Sequence, residues 1–258
     1  MHLRDKLKRI AALKTLVVIF RALGNKHGVL ARIGALGSFF RSYAAFRQLP
    51  NNSAFSLHTS DLYPRLFDNT GGTPVDPVYF YQDTWCAKKI FEAKPAHHYD
   101  IGSEAEFIGI ISQFTPTTFV DIRPLPVTLD HLSFVKGDIA HLPFPNDSIA
   151  SLSSICVIEH IGLGRYGDSL DPFGSEKAVA EMIRVLAPGG SLYISVPIDS
   201  ENKVYFNAHR AFTPEYIFEL CKPLTLVEQR YVYGNQMTEH YGKEKGFGTG
   251  LYHFQKAS

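Results

Sequence analysis

The chain has 258 residues, 45% of them hydrophobic and 20% charged. That is enough for one large domain with a buried core, and it excludes a disordered, collagen-like or coiled-coil protein. The formal net charge of +1 hides an asymmetry: residues 1–47 hold ten Lys or Arg and one acid, Asp5, so a +9 arm is joined to a −8 body, a pattern that bears on partners.

No run in the arm reaches the roughly 18 apolar residues of a membrane span. The longest, Thr15 to Phe20, is fenced by Lys14 and Arg21 and is too short for a secretory signal. An organelle transit peptide is a lesser alternative on composition. Helical periodicity is mixed at first, because Lys14 and Arg21 share a face with Leu3 and Leu7. From Val29 onward a stripe of Val29, Ile33, Leu36, Phe40 and Tyr43 predicts a helix, weakened by Gly34 and Gly37. Two readings of this basic helical extension stand open: a cap folded onto the body, or a basic surface for anionic lipid or another anionic partner. Nucleic acid is disfavoured, because the acidic body repels a phosphate backbone. Residues 48–77, rich in Asn, Ser, Asp, Gly and Pro, read as a linker. Residues 78–258 then form an α/β domain. Its cysteines, Cys86, Cys156 and Cys221, are widely spaced, which argues against a disulfide framework or a zinc site and for a reducing compartment.

From residue 96 strand and helix signals alternate, the mark of parallel βαβ units. Strands are predicted at His97–Gly102, Thr118–Ile122, Leu132–Val135, Ile149–Ile158 and Ser191–Val196. Helices fall at Ala105–Phe114, Ser175–Leu186 and Pro214–Cys221, the second stopped by Pro188-Gly189-Gly190. Late strands near Leu224–Tyr233 and Leu251–Gln255 pair as an antiparallel hairpin closing the sheet. The fold class is a Rossmann-like, doubly wound, mostly parallel α/β sheet with that C-terminal antiparallel pair. Ligands in such sheets sit beyond the carboxyl ends of the strands, which selects Asp100, Gly102, Asp121, Asp138, Glu159 and His160.

Asp121 follows Asp100 by about 21 residues, near the spacing of an acid that binds ribose hydroxyls. The first turn, Gly102-Ser103-Glu104-Ala105-Glu106, puts acids where a pyrophosphate needs backbone N–H groups and no negative charge. A nicotinamide or flavin dinucleotide is therefore disfavoured, and a positively charged nucleoside without phosphate fits better.

The run from Gly137 to Ser148 (GDIAHLPFPNDS), Val157-Ile158-Glu159-His160-Ile161, and Arg184 to Gly190 (RVLAPGG) together resemble motifs of class I S-adenosylmethionine-dependent methyltransferases, in order and spacing, over about residues 96–200. The segment Glu159 to Asp168 also resembles a bacterial family of unknown function found among envelope-polysaccharide genes, which implies a match over most of residues 75–258. The resemblance implies that S-adenosylmethionine is the cofactor. By position, Asp100 and Gly102 hold its methionine end, Asp121 its ribose, and Asp138 its adenine amino group with Ile139 against the ring. Backbone around Ser154 and Ile155 lines the other side. Glu104 and Glu106 depart from the family's glycines, which keeps open a catalytically inactive nucleoside-binding or interaction module.

Methyl transfer from a sulfonium is an in-line displacement in which the protein positions the acceptor and accepts its proton. His160 and His209, in loops at the ligand edge, are candidate bases with Glu159 orienting His160; each is also readable as structural. The glycine-rich loop from Gly162 to Gly174 is read as gripping a small-molecule or sugar acceptor through Arg165 and Tyr166, or as a plain long turn. Trp85, Tyr79 and Tyr81 are core residues or stacking partners, with core favoured. The setting expected is cytoplasmic, with peripheral contact at the inner face of the membrane.

Overall fold

Alternating apolar strands and amphipathic helices close into one eight-stranded sheet. The computed structural model describes residues 28–50 and 52–258. The chain divides into two units, Met1–Pro74 and Val75–Ser258. In the first, helix α1 (Val29–Phe46) forms over the predicted stripe, Gly34 and Gly37 included, and none of its residues is buried. The mixed periodicity of Leu3, Leu7, Lys14 and Arg21 lies outside the described residues. Residues 52–74 contain a 3-10 turn at Thr59–Asp61 and otherwise turns and irregular backbone.

The second unit opens with helix α2 (Pro77–Ala93), absent from the sequence reading. Its start follows from local chemistry: the Asp76 carboxylate accepts from the Val78 and Tyr79 amides, and Pro77 occupies the first turn, where its missing N–H costs nothing. Lys94 ends it in a left-handed conformation, with Pro95 following. The buried face is Gln82, Trp85, Cys86 and Ile90.

Strands β1 (His98–Ile101), β2 (Thr117–Asp121), β3 (Leu132–Lys136), β4 (Ile149–Ile155) and β5 (Leu186–Ile198) run parallel, linked by helices α3 (Ala105–Ile111) and α4 (Gly174–Val185) and by irregular segments. Helix α3 is three residues shorter than its apolar run suggests, because tight turns from Gln113 to Ile110 and Phe114 to Ile111 replace the last helical bonds. Strand β5 is longer than expected. The strand runs on through Pro188-Gly189-Gly190, where Gly189 turns to φ +73°, with a register irregularity against Ile149 and Ser151. A small antiparallel pair, β6 (Lys203–Tyr205) and β7 (His209–Ala211), follows. Then come α5 (Pro214–Leu220), β8 (Leu224–Tyr233), β9 (Gln236–Thr238) and β10 (Gly248–Lys256).

The sheet order is β3-β2-β1-β4-β5-β10-β8-β9. The predicted antiparallel pair forms, and β10 lies between β5 and β8, antiparallel to both. Helices cover both faces. Trp85, Ile90, Phe107, Ile108 and Ile111 pack on one, and Val179, Met182, Val185, Ile217 and Cys221 on the other. Strand β1 pairs with β2 on one side and β4 on the other. The chain therefore reverses its winding at β1 and β4, where a crevice opens beyond the strand ends.

Candidate active site

A cavity of about 690 Å³ lies at that crevice, with a smaller chamber of about 110 Å³ beside it. Both are lined by Gly102, Asp121, Arg123, Cys156, His160 and Tyr166. Ile155, Glu159, Arg165 and His209 line the larger one, and Asp138 and Ile139 the smaller. Asp100 and Ser154 stand behind the wall, fully buried.

Asp100 shapes the turn in front of it. Its carboxylate accepts from the Ser103 amide at 3.1 Å, the Ser103 hydroxyl at 2.7 Å and the Ser153 hydroxyl. Ser103 Oγ in turn accepts from the Ile155 amide at 2.9 Å, stitching the turn to the end of β4. Gly102 has φ +72°, and a Cβ there would lie 2.9 Å from Val157 Cγ1. Only glycine combines that conformation with so close an approach. Behind Asp100 the buried His98 ring bonds Ser151 at 2.8 Å and Ser153 at 2.9 Å. Burial pushes the Asp100 carboxyl up to about 6, against the opposing pull of its serine bonds.

Asp121 ends β2 and is paired with Arg123, a residue the sequence reading missed. The Arg123 amide donates to Oδ1 at 2.7 Å, and Nε and Nη2 reach the carboxylate at 3.2 Å each. The Arg123 guanidinium lies 4.9 Å from the Tyr166 ring centre, and Arg165 lies 5.0 Å from it. In the smaller chamber Asp138 accepts from the Ala140 amide at 2.9 Å, leaving carboxylate capacity at the exposed edge.

His160 sits in a 3-10 turn, Ile158–His160, and His209 in β7, so neither occupies the plain loop that was expected. The 3-10 turn and the turn before β7 are tied together. His160 Nδ1 lies 2.7 Å from the Ala208 carbonyl oxygen, which can only accept, so Nδ1 carries the proton. Nε2, with its lone pair, faces Glu159 Oε1 at 3.6 Å. Burial holds His160 down to about 4. Glu159 is 1% exposed, and its Oε2 has no hydrogen-bond partner among the described residues. Burial pushes it up to about 8. Close by, Asp83 of α2 is raised to about 7, by burial first and then by Glu104 and Asp100.

The loop from Gly162 to Gly174 is a built structure. Asp168 accepts from the amides of Gly162 at 2.7 Å, Gly164 at 3.3 Å and Tyr166 at 3.2 Å. Gly162 has φ +81° and a Cβ would fall 2.1 Å from the Asp171 carbonyl oxygen. The buried Arg210 donates to the carbonyls of Ile161 and Asp171 and to Ser175 Oγ. These bonds hold Arg165 and Tyr166 at the cavity wall.

Of the aromatic residues before β1, Trp85 is core, donating to Glu228 at 3.2 Å and meeting Tyr193 edge-on. Tyr81 bonds the Asn235 carbonyl at 3.1 Å. Tyr79 lines the cavity. Cys156, also missed, has positive φ and lies 3.0 Å from Gln82 Oε1. No group of three or more His, Cys, Asp or Glu suited to a metal occurs among the described residues.

A family model described as Caenorhabditis protein of unknown function, DUF268, matches residues 142–223. This is narrower than the span implied by the sequence resemblance, and the description mentions no envelope role. No curated protein matches the chain in sequence. Solved structures match by fold. The 1,6-didemethyltoxoflavin-N1-methyltransferase of Burkholderia thailandensis, with bound S-adenosylhomocysteine, has 15% identity and TM-score 0.52, over 91% of this chain and 93% of that one. The N-methyltransferase NodS of Bradyrhizobium japonicum, in complex with S-adenosylhomocysteine, has 16% identity and TM-score 0.51, over 84% and 98%. The [4+2]-cyclase SpnF matches at 13% identity and TM-score 0.51, over 68% and 80%. A cyclase in this company means that the fold alone does not name a reaction. The body of this chain has the α/β fold of the class I methyltransferases.

Proposed function

We propose that this chain is an S-adenosylmethionine-dependent methyltransferase acting on a small-molecule acceptor. The observation that carries this is Glu159: a buried carboxyl with an unpartnered oxygen, on the wall of a cavity at the strand-end crevice. An uncompensated acid at such a wall suits a cationic ligand, and the first turn carries no phosphate-binding glycines.

The residues fit the cofactor. Gly102 and Ser103 would hold its methionine end, with Asp100 fixing the turn from behind. Asp121 would take the ribose hydroxyls, and Asp138 and Ile139 the adenine, with backbone at Ser154 and Ile155 on the far side. Bound there, S-adenosylmethionine supplies an electrophilic methyl group on a sulfonium.

The remaining chemistry is the chain's own. Glu159 loses the proton that burial retains when the cationic cofactor is bound, and its Oε2 then receives the proton that leaves a hydroxyl or amine acceptor, because it is the oxygen free of other bonds. His160 is a positioning residue in this account: Ala208 occupies Nδ1, Glu159 faces Nε2, and the ring keeps Glu159 in place. His209, Arg165 and Tyr166 form the acceptor side. The motif resemblance supports a sugar acceptor and a role in envelope polysaccharide synthesis. Binding of S-adenosylhomocysteine to the full chain tests the cofactor assignment.

The arm is a separate element of the proposal. Helix α1 exposes Val29, Leu30, Ile33 and Phe40 within a segment holding ten bases and one acid. No helix among the described residues is long and apolar enough to cross a membrane. An exposed apolar helix with basic flanks suits the interface of an anionic membrane. The arm then holds a cytoplasmic enzyme at the inner membrane face.

A further inference from the structure

Resting on the methyltransferase reading, we propose that Arg165 and His209 receive an oxyanion and that the acceptor is a phosphate monoester. Arg165 is fixed by neutral groups alone: Nη1 donates to the Ala208 carbonyl at 2.9 Å, and the guanidinium lies 5.0 Å from the Tyr166 ring centre. Arg123, over the same ring, is paired with Asp121. Among the described residues no carboxylate lies within ion-pair distance of Arg165, and its Nε and Nη2 edge carries no hydrogen bond. It is an oriented cation on the cavity wall with no ion-pair partner among the described residues.

His209 follows Ala208 and lines the same cavity. Its ring packs on Tyr205 at 5.1 Å and Phe247 at 5.7 Å, and its ring nitrogens make no hydrogen bond among the described residues. Burial and then the Arg165 charge hold it below its ordinary value, so an anion seated between the two reverses the second effect. The same cavity is lined by Glu104, Glu106 and Glu159, and the Arg165 charge pulls against the burial that raises Glu159. The cavity thus offers both signs of charge, carboxyls for a cationic cofactor and Arg165 with His209 for an anionic acceptor. A guanidinium fork plus an imidazole offers more donors than a carboxylate's two oxygens use in one plane, whereas a phosphate monoester presents three terminal oxygens.

The test titrates the full chain, with and without S-adenosylhomocysteine, with inorganic phosphate at constant ionic strength, following the histidine ring protons by NMR. Saturable binding is expected, with the His209 midpoint moving up. Arg165→Ala should weaken binding ~10-fold or more, and Arg165→Lys by less, because lysine keeps the charge but loses the fork. Arg65→Ala removes an equal charge outside the cavity and should leave affinity unchanged. Equal affinity in Arg165→Ala and the unaltered chain overturns the proposal, and acetate competing as well as phosphate overturns the phosphate class. Saturable phosphate binding without S-adenosylhomocysteine binding keeps the anion site and removes the methyltransferase reading. The opposite pattern removes the anion site alone.

Discussion

Arg123 grips Asp121 through its own amide and the Nε and Nη2 edge of its guanidinium, so the acid at the end of β2 is held in one orientation before any ligand arrives. Oδ2 accepts from Nη2 alone and keeps a lone pair for a ribose hydroxyl. The pair therefore orients the site without closing it.

Asp121→Ala should lower S-adenosylhomocysteine affinity by ~100-fold, the loss of two hydrogen bonds to a charged acceptor. Arg123→Ala keeps the carboxylate and should cost well under half of that loss on a logarithmic scale. Calorimetry on both variants checks the order, and unaltered affinity in Asp121→Ala puts the ribose elsewhere.

Three carboxyls around the site are raised: Asp100 to about 6, Asp83 to about 7 and Glu159 to about 8. The folded chain holds these protons in a window where the unfolded chain has released them, so their contribution to stability falls as pH rises from the ordinary carboxylate range to about 8. Glu159→Gln removes one such group and should raise the melting temperature at pH 8 more than it does in mild acid. A cation prefers the ionised acids, so S-adenosylmethionine affinity should rise with pH across the same window, with proton release visible as buffer-dependent heats. Affinity that is flat or falls with pH contradicts the acidic-wall account.

Gly102→Ala forces a side chain into a left-handed position 2.9 Å from Val157. It should cost about 1–2 kcal/mol of stability and weaken cofactor binding, because the Ser103 turn shifts with it. Chemical denaturation measures the first effect and calorimetry the second.

For the arm, the full chain should float with anionic liposomes, and a chain beginning near residue 48 should not. Raised salt should release the full chain, since the attraction is largely electrostatic. Equal behaviour of the two chains retires the lipid role.

The sheet was legible because its strands are apolar runs punctuated by Gly, Pro and Asp, and because strand-end acids mark the crevice. Helix α2 was not, since Tyr79, Phe80 and Tyr81 blur its helical period, although Asp76-Pro77 carries the start signal. The pairing of Arg123 with Asp121 is two residues long in sequence and could have been found there. The tie between His160 and Ala208 could not, because it joins the turn between β6 and β7 to the turn after β4 across 48 positions. That tie fixes the His160 tautomer, on which the proposed assignment of the proton acceptor to Glu159 is argued, and it needs the fold to be seen.

The central claim is that the acidic crevice binds S-adenosylmethionine. Isothermal titration of the full chain with S-adenosylmethionine and S-adenosylhomocysteine tests it most directly. One-to-one saturable binding of both, sensitive to Asp121→Ala, is the result predicted. No binding of either ligand into the high micromolar range would contradict it.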